Sequence, residues 1–242
     1  MPTVRLLPSE TLPGPDQMAA DDVLLHAAAE RGVASLRFYA WSEPTLSLGY
    51  FQPARDRHAF ASLPWVRRAT GGAALVHHHE VTYALALPAG RDWHDPHESW
   101  LCRLHHTIRD TLKPLGVTLR AVVCGQERTL GDVLCFLKQT PADLLCDGAK
   151  VVGSAQRKQK GSLLQHGGIL LGRSEFAPEL AGLAELAGVS LTAEQVAAAM
   201  AERFAADTGW PLEPGDWTDG EQTLRAEIAR DKYRSPAWNE KR

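Results

Sequence analysis

No apolar run in the 242-residue chain comes near the ~20 residues that a membrane-spanning helix needs. No charge sign dominates either. The 26 Lys and Arg stand against 29 Asp and Glu, a formal net charge of −3, and a general nucleic-acid binder would show a basic footprint instead. The four cysteines, Cys102, Cys124, Cys135 and Cys146, form no CxxC pair, so neither a zinc site nor a disulfide framework is expected. P-loop, GxGxxG and HExxH patterns are missing as well, which removes the usual nucleotide-fold and metalloprotease readings. Residues 1–17 carry prolines and polar side chains but no apolar stretch of signal-peptide type. The expectation is a cytoplasmic protein with free thiols, no membrane partner and no nucleic acid.

What remains is ordinary globular material. A chain of this length with 44% hydrophobic residues can bury a sizeable core as one domain. After an extended N-terminal segment closed by Pro13-Gly14-Pro15, Asp16 is placed to cap a helix that stops at Gly32. Strands are expected at 34–41, 45–48 and 65–68, with a glycine turn at 70–72. A further strand over 73–87 would put His77 and His79 on one face. A helix over 97–115 closes at Gly116, followed by a strand over 117–124. Asp147-Gly148 is a hairpin turn between strands 143–146 and 150–152, and 162–166 and 169–171 read as two more strands. Helices at 179–206 and 219–230 follow, with a loop at Pro211 to Gly215. Strands and helices without regular alternation predict an α+β fold with mixed, largely antiparallel sheets flanked by helices. Residues 1–242 read as one catalytic domain, of which 173–242 form a short helical C-terminal extension.

Four segments bear chemistry. Arg67-Arg68-Ala-Thr70-Gly71-Gly72 sets two cations before a glycine turn, which suits an anionic or acyl-phosphate ligand; the bland reading is a surface turn with solvated arginines. His77-His78-His79-Glu80 invites a metal, but at most two of these side chains share a strand face. A polar pocket rim is therefore the better expectation, with no metal. In Lys150-Val-Val-Gly153-Ser154-Ala155, a lysine beside small residues suits a cation held against a substrate backbone for which Gly153 and Ala155 leave room; the alternative is a surface hairpin. Cys135 is a nucleophile if Lys150 folds back beside it and stabilises its thiolate. Otherwise it is a buried small hydrophobe.

Taken together, Arg67 to Gly72, His77-His-His-Glu-Val-Thr-Tyr83, Lys150-Val-Val-Gly-Ser-Ala-Gln156 and Gln165-His166-Gly-Gly-Ile-Leu170 resemble the biotin/lipoate protein ligase superfamily. Met18 to Leu25, Phe38 to Gln52 and Lys232 to Asn239 extend the resemblance over nearly the whole chain. Within the superfamily, Cys135-Phe136 placed fifteen residues before Lys150 resembles the cysteine-dependent octanoyltransferases of lipoate biosynthesis, and next to them the lipoate-protein ligases. Ala73, His78, Ala84 and Gly168 depart from the family's usual residues.

The resemblance implies two half-reactions. Cys135 takes octanoyl from acyl carrier protein as a thioester, and a lysine of a lipoyl-domain protein then receives it as an amide. Such acceptors include the glycine cleavage H protein and the 2-oxoacid dehydrogenase E2. Cys135 and Lys150 would be catalytic. Arg68, Gly71, Gly72, His77, Gly153, Ser154, Ala155 and His166 would bind substrate, and no cofactor would be needed. The alternatives are ATP- and Mg-dependent lipoate ligation through an acyl-adenylate, amidotransfer between lipoyl domains, and non-catalytic binding of a lipoyl domain or carrier protein.

Overall fold

The computed structural model describes residues 2–242. Its strands are β1 (Val4–Leu6), β2 (Glu10–Leu12), β3 (Ser35–Trp41), β4 (Thr45–Leu48), β5 (Trp65–Arg67), β6 (Leu75–His77) and β7 (Glu80–Leu87). There follow β8 (Arg120–Ala121), β9 (Arg128–Thr129), β10 (Lys138–Gln139), β11 (Leu144–Cys146), β12 (Ala149–Gln159), β13 (Ser162–Leu170) and β14 (Leu212–Pro214). The α-helices are α1 (Gly14–Arg31), α2 (Trp100–Leu112), α3 (Leu183–Ala187), α4 (Ala193–Thr208), α5 (Asp219–Ile228) and α6 (Pro236–Asn239).

The main sheet runs β14-β1-β3-β7-β13-β12-β11-β8, with β2 beside β3. A small sheet runs β5-β4-β6, and β9 and β10 form a separate ribbon. From β3 to β8 every pairing is antiparallel, whereas β14, β1 and β2 join in parallel. This is the expected α+β architecture with mixed, largely antiparallel sheets.

Strand β7 shows why the sheet is covered on both faces. All eight of its residues are buried, and they alternate in size. Val81, Tyr83, Leu85 and Leu87 pack into the cluster with Trp100, Leu104 and Ile108 of α2 and with Val196, Met200 and Phe204 of α4. Ala84 and Ala86 face Ala20, Val23 and Leu24 of α1. Small residues on that side let the alanine-rich helix lie close to the sheet, and large ones on the other fill the wider gap.

Several elements differ from the sequence expectation. Pro13, not Asp16, takes the N-cap position of α1. The strand expected over 73–87 is broken at His78-His79, because β6 pairs with β4 in the small sheet while β7 pairs with β3 and β13 in the large one. His77 and His79 therefore do not share a face. Of the strand expected over 117–124 only Arg120 and Ala121 pair; Val117, Leu119 and Val122 are buried by packing, which produced the strand-like pattern. The two strands at 162–166 and 169–171 are one, β13. The helix over 179–206 is two, divided where Gly188 ends α3 and Thr192 caps α4. The loop at 211–215 contains β14, so the helical extension also supplies an edge strand to the main sheet beside β1.

Candidate active site

Strands β12 and β13 place the middle of the site. Gly153 lies opposite Gly168, Ser154 opposite Gly167 and Ala155 opposite His166. Residue pairs far apart in sequence thus become neighbours through ladder register alone. The hairpin that starts β12 turns on Asp147 and Gly148, both at positive φ (44° and 80°), as expected. Across from it, the ribbon β9-β10 carries a tight 3₁₀ turn, Cys135–Leu137. That turn is pinned to the residues after the glycine turn: Cys135 N donates to Ala74 O at 2.7 Å, and Ala74 N donates to Val133 O at 2.9 Å. A mainly apolar cavity results, with Arg68, Gly72, His77, Cys135, Gly153 and His166 among its walls. Ser154 and Ala155 also line it, as do Met18, Tyr39, Thr82 and Phe136. Met18, Tyr39, Thr82 and Phe136 lie in stretches that carry the resemblance but were given no site role from the sequence.

Lys150 reaches Cys135. Its Nζ stands 3.6 Å from Cys135 Sγ, 2.7 Å from Asp143 Oδ2 and 3.1 Å from Lys138 O. Only about 5% of Lys150 is exposed, so the solvated-hairpin reading does not hold. Gly153 makes this placement possible, because a Cβ there would lie 2.6 Å from Lys150 Cε. The room expected for a substrate backbone at Gly153 is filled by the lysine itself. Asp143 was not recognised in the sequence; its position at the foot of the Asp147-Gly148 hairpin was the available signal.

The arginine pair is buried too, at 0% exposure for Arg67 and 7% for Arg68, which excludes a solvated surface turn. Arg68 donates to the carbonyls of Ser47, Gly71 and Ala73 and to Ser47 Oγ, and so fixes the glycine turn. Burial pushes its pKa below the ordinary arginine value, and Cys135, Tyr39 and Glu80 pull it back. Among the described residues it has no carboxylate partner in ion-pair contact.

Both histidines of the site sit between a carboxylate and a hydroxyl. His77 Nδ1–H donates to Glu80, leaving Nε2 to accept from Ser47 Oγ at 2.7 Å, while the ring stacks on Trp41. Burial holds His77 below its ordinary pKa against the pull of Glu80, so the imidazole is neutral. His166 Nδ1–H donates to Asp21 Oδ2 at 2.7 Å, and its Nε2 accepts from Thr70 Oγ1 at 2.7 Å. Burial raises the Asp21 carboxyl, but Arg37 and His166 outweigh it and hold the group below its usual value. The second oxygen of Glu80, Oε2, is buried without a partner. It faces Gly168, where a Cβ would lie 2.8 Å away.

Ser154 points elsewhere. His105 Nδ1–H donates to Ala142 O, so its Nε2 accepts the Ser154 hydroxyl at 2.8 Å. His78 and His79 stack on each other, with ring centroids 3.6 Å apart. No group of three His, Cys, Asp or Glu among the described residues is arranged to hold a metal ion. Burial, with Asp147 nearby, pushes the Cys146 thiol up, and it packs in the main core.

Residues 13–177 match the family described as the lipoyl protein ligase A/B catalytic domain. The chain belongs to this family. Every wall residue of the Cys135 cavity falls within the matched segment of the lipoyl protein ligase A/B domain. Among relatives, the chain is 33% identical to the octanoyltransferase LipM of Kyrpidia tusciae over 99% of each chain. It is 28% identical to that of Bacillus subtilis over 93% of each. Solved structures share the fold. A Thermoplasma acidophilum lipoate protein ligase with bound lipoic acid aligns with a TM-score of 0.80 at 21% identity, covering all of both chains. Lipoate-protein ligase A bound with ATP aligns with a TM-score of 0.77 at 22% identity over 99% of each.

Proposed function

We propose that the protein is an octanoyltransferase of protein lipoylation. It moves an octanoyl group from the thioester of acyl carrier protein to a lysine of a lipoyl-domain protein, through a thioester on Cys135. The observation that carries this reading is the Lys150 ammonium 3.6 Å from the Sγ of Cys135, a residue that lines a mainly apolar cavity. The likeness to LipM octanoyltransferases over the full chain supports it. In the first half-reaction the Cys135 thiolate, stabilised by Lys150, attacks the donor carbonyl. The bond from carbonyl carbon to donor sulfur breaks, and the released thiolate takes a proton. In the second, the acceptor lysine's neutral amine attacks the Cys135 thioester, the C–S bond breaks, the amine loses a proton, and an amide and the Cys135 thiolate result. Asp143 and the Lys138 carbonyl hold two of the three Lys150 donors, and the third lies between Cys135 O at 3.4 Å and Cys135 Sγ at 3.6 Å, placed to turn to the sulfur or the developing oxyanion. Apolar walls favour an alkyl chain by about 0.8 kcal/mol per buried CH₂. No ATP enters either step.

Intact-protein mass tests the reading. Octanoyl carrier protein without ATP is expected to add one hydroxylamine-labile octanoyl group to the wild type and none to Cys135→Ala. Acylation of the acceptor only when free octanoate and ATP are supplied, independent of Cys135, would make the protein a ligase instead.

A further inference from the structure

Where residues 238–242 meet the glycine turn, several cations stand close together. Arg67, Arg157, Lys158, Lys241 and Arg242 have no carboxylate in ion-pair contact among the described residues. The chain as a whole carries a formal charge of −3, so the surplus is local. Lys241 Nζ is buried with no hydrogen-bond partner, 3.2 Å from the Trp238 ring centroid and 3.5 Å from that of Tyr50. Burial, with Arg67, Lys232, Arg242 and Arg157 around it, lowers its pKa to about 8. The Arg242 guanidinium lies over the rings of Tyr50 and Phe51, at 5.1 and 5.2 Å.

These groups border a concave shelf lined by Tyr50, Phe51, Gly71, Arg157, Lys158 and Trp238, among others. Phe51 is 70% exposed on it. The shelf abuts the Cys135 cavity. Gly72 and Ala155 line the cavity, and their chain neighbours Gly71 and Gln156 line the shelf. An anion bound there would gain ion-pair partners for cations that now lack them, next to the cavity that Cys135 lines but outside it.

Resting on the thioester-transfer reading, we infer that this shelf holds the phosphodiester at the root of the donor's flexible thioester arm. Arg157, Lys158 and Arg242 face the phosphate, and Phe51 covers the aliphatic part of the arm. Lys241 supplies field from beneath. The assignment gives the exposed Phe51 ring and the cations without ion-pair contacts one common ligand.

The test compares initial rates of Cys135 octanoylation from octanoyl-phosphopantetheine and from octanoyl-pantetheine, which lacks the phosphate. Wild type is expected to prefer the phosphorylated thioester by about tenfold in kcat/KM, the equivalent of one charge-assisted contact. Lys158→Gln combined with Arg242→Gln should bring that ratio to about one. The rate with octanoyl-pantetheine should stay unchanged, which shows that the fold and the Cys135 site are intact. A wild-type ratio near one, or a ratio the double variant retains, overturns the assignment. A preference seen only with the intact carrier protein would transfer it to that protein's surface carboxylates and also overturn it. Silence from every thioester would instead overturn the transfer reading, and this inference with it.

Discussion

Cys135, Lys150 and Gly153 act as one unit at the residue scale. The lysine crosses the bare Cα of Gly153 to reach the sulfur and Asp143. In Gly153→Ala the new Cβ would meet Lys150 Cε at 2.6 Å, so the ammonium must leave its place. A misplacement of about 1 Å at a reacting group costs about 10²-fold. Octanoylation of Cys135 should fall by about that factor in a rapid-quench mass assay, and the melting temperature should drop as well, because the buried Lys150–Asp143 pair is disturbed. A rate within about twofold of wild type would show that Lys150 does not need this position. The sequence motifs named Lys150 and, through the family resemblance, Cys135 as its expected partner. They did not name Asp143, because the lysine's partner depends on how the β11-β12 hairpin folds against the Cys135 turn.

At the element scale, β7 joins the two faces of the molecule. Its large residues fill the core under α2 and α4, and its alanines admit α1. Leu85 is fully buried in that core, so Leu85→Ala removes buried methyl groups and leaves a cavity. Urea unfolding should show a loss of about 2–5 kcal/mol with little change in the slope against denaturant. A loss below about 1 kcal/mol would mean that the core collapses around the gap. Element existence was legible from periodicity in β3, β4 and α2, while β12 was expected only over 150–152, from the Asp147-Gly148 turn, and runs on to Gln159. Boundaries failed where chain direction changed between sheets, as at His78-His79, since alternation continues in sequence across a break that only sheet pairing creates.

At the scale of the whole molecule, Glu221 fastens the C-terminal helices to the N-terminal part of the chain. It caps α5 by accepting from Thr218 N at 3.0 Å, and it binds Arg5 of β1 at 2.8 and 2.9 Å and Arg31 of α1. Burial opposes its charge, but Arg5, the Thr218 amide and Arg31 hold the carboxyl at about 2, against an ordinary 4.5. A depressed carboxyl stabilises the fold fully above the unfolded value, and the contribution is lost as pH falls from 4.5 toward 2, where the unfolded chain binds the proton first. Glu221→Gln should therefore melt lower than wild type at pH 7, and the gap should narrow through that window. Parallel melting curves for the two proteins from pH 5 to about 2 would show that Glu221 carries no linked stability.

The sequence by itself determined the kind of fold, most of its strands and helices, and the chemical types in the site. These follow from local periodicity and from residue identities that ladder register later brings together, as with Gly153 and Gly168 or Ala155 and His166. Tertiary structure alone decided the long-range partners of the buried charges. Asp21 is joined to His166 and Arg37 by packing, and Asp143 to Lys150 by the β11-β12 hairpin. Burial makes those pairings compulsory, since an unpaired charge away from water is costly. Which carboxylate meets which base depends on helix α1 docking on the sheet across 145 residues of chain, a contact that no local pattern encodes.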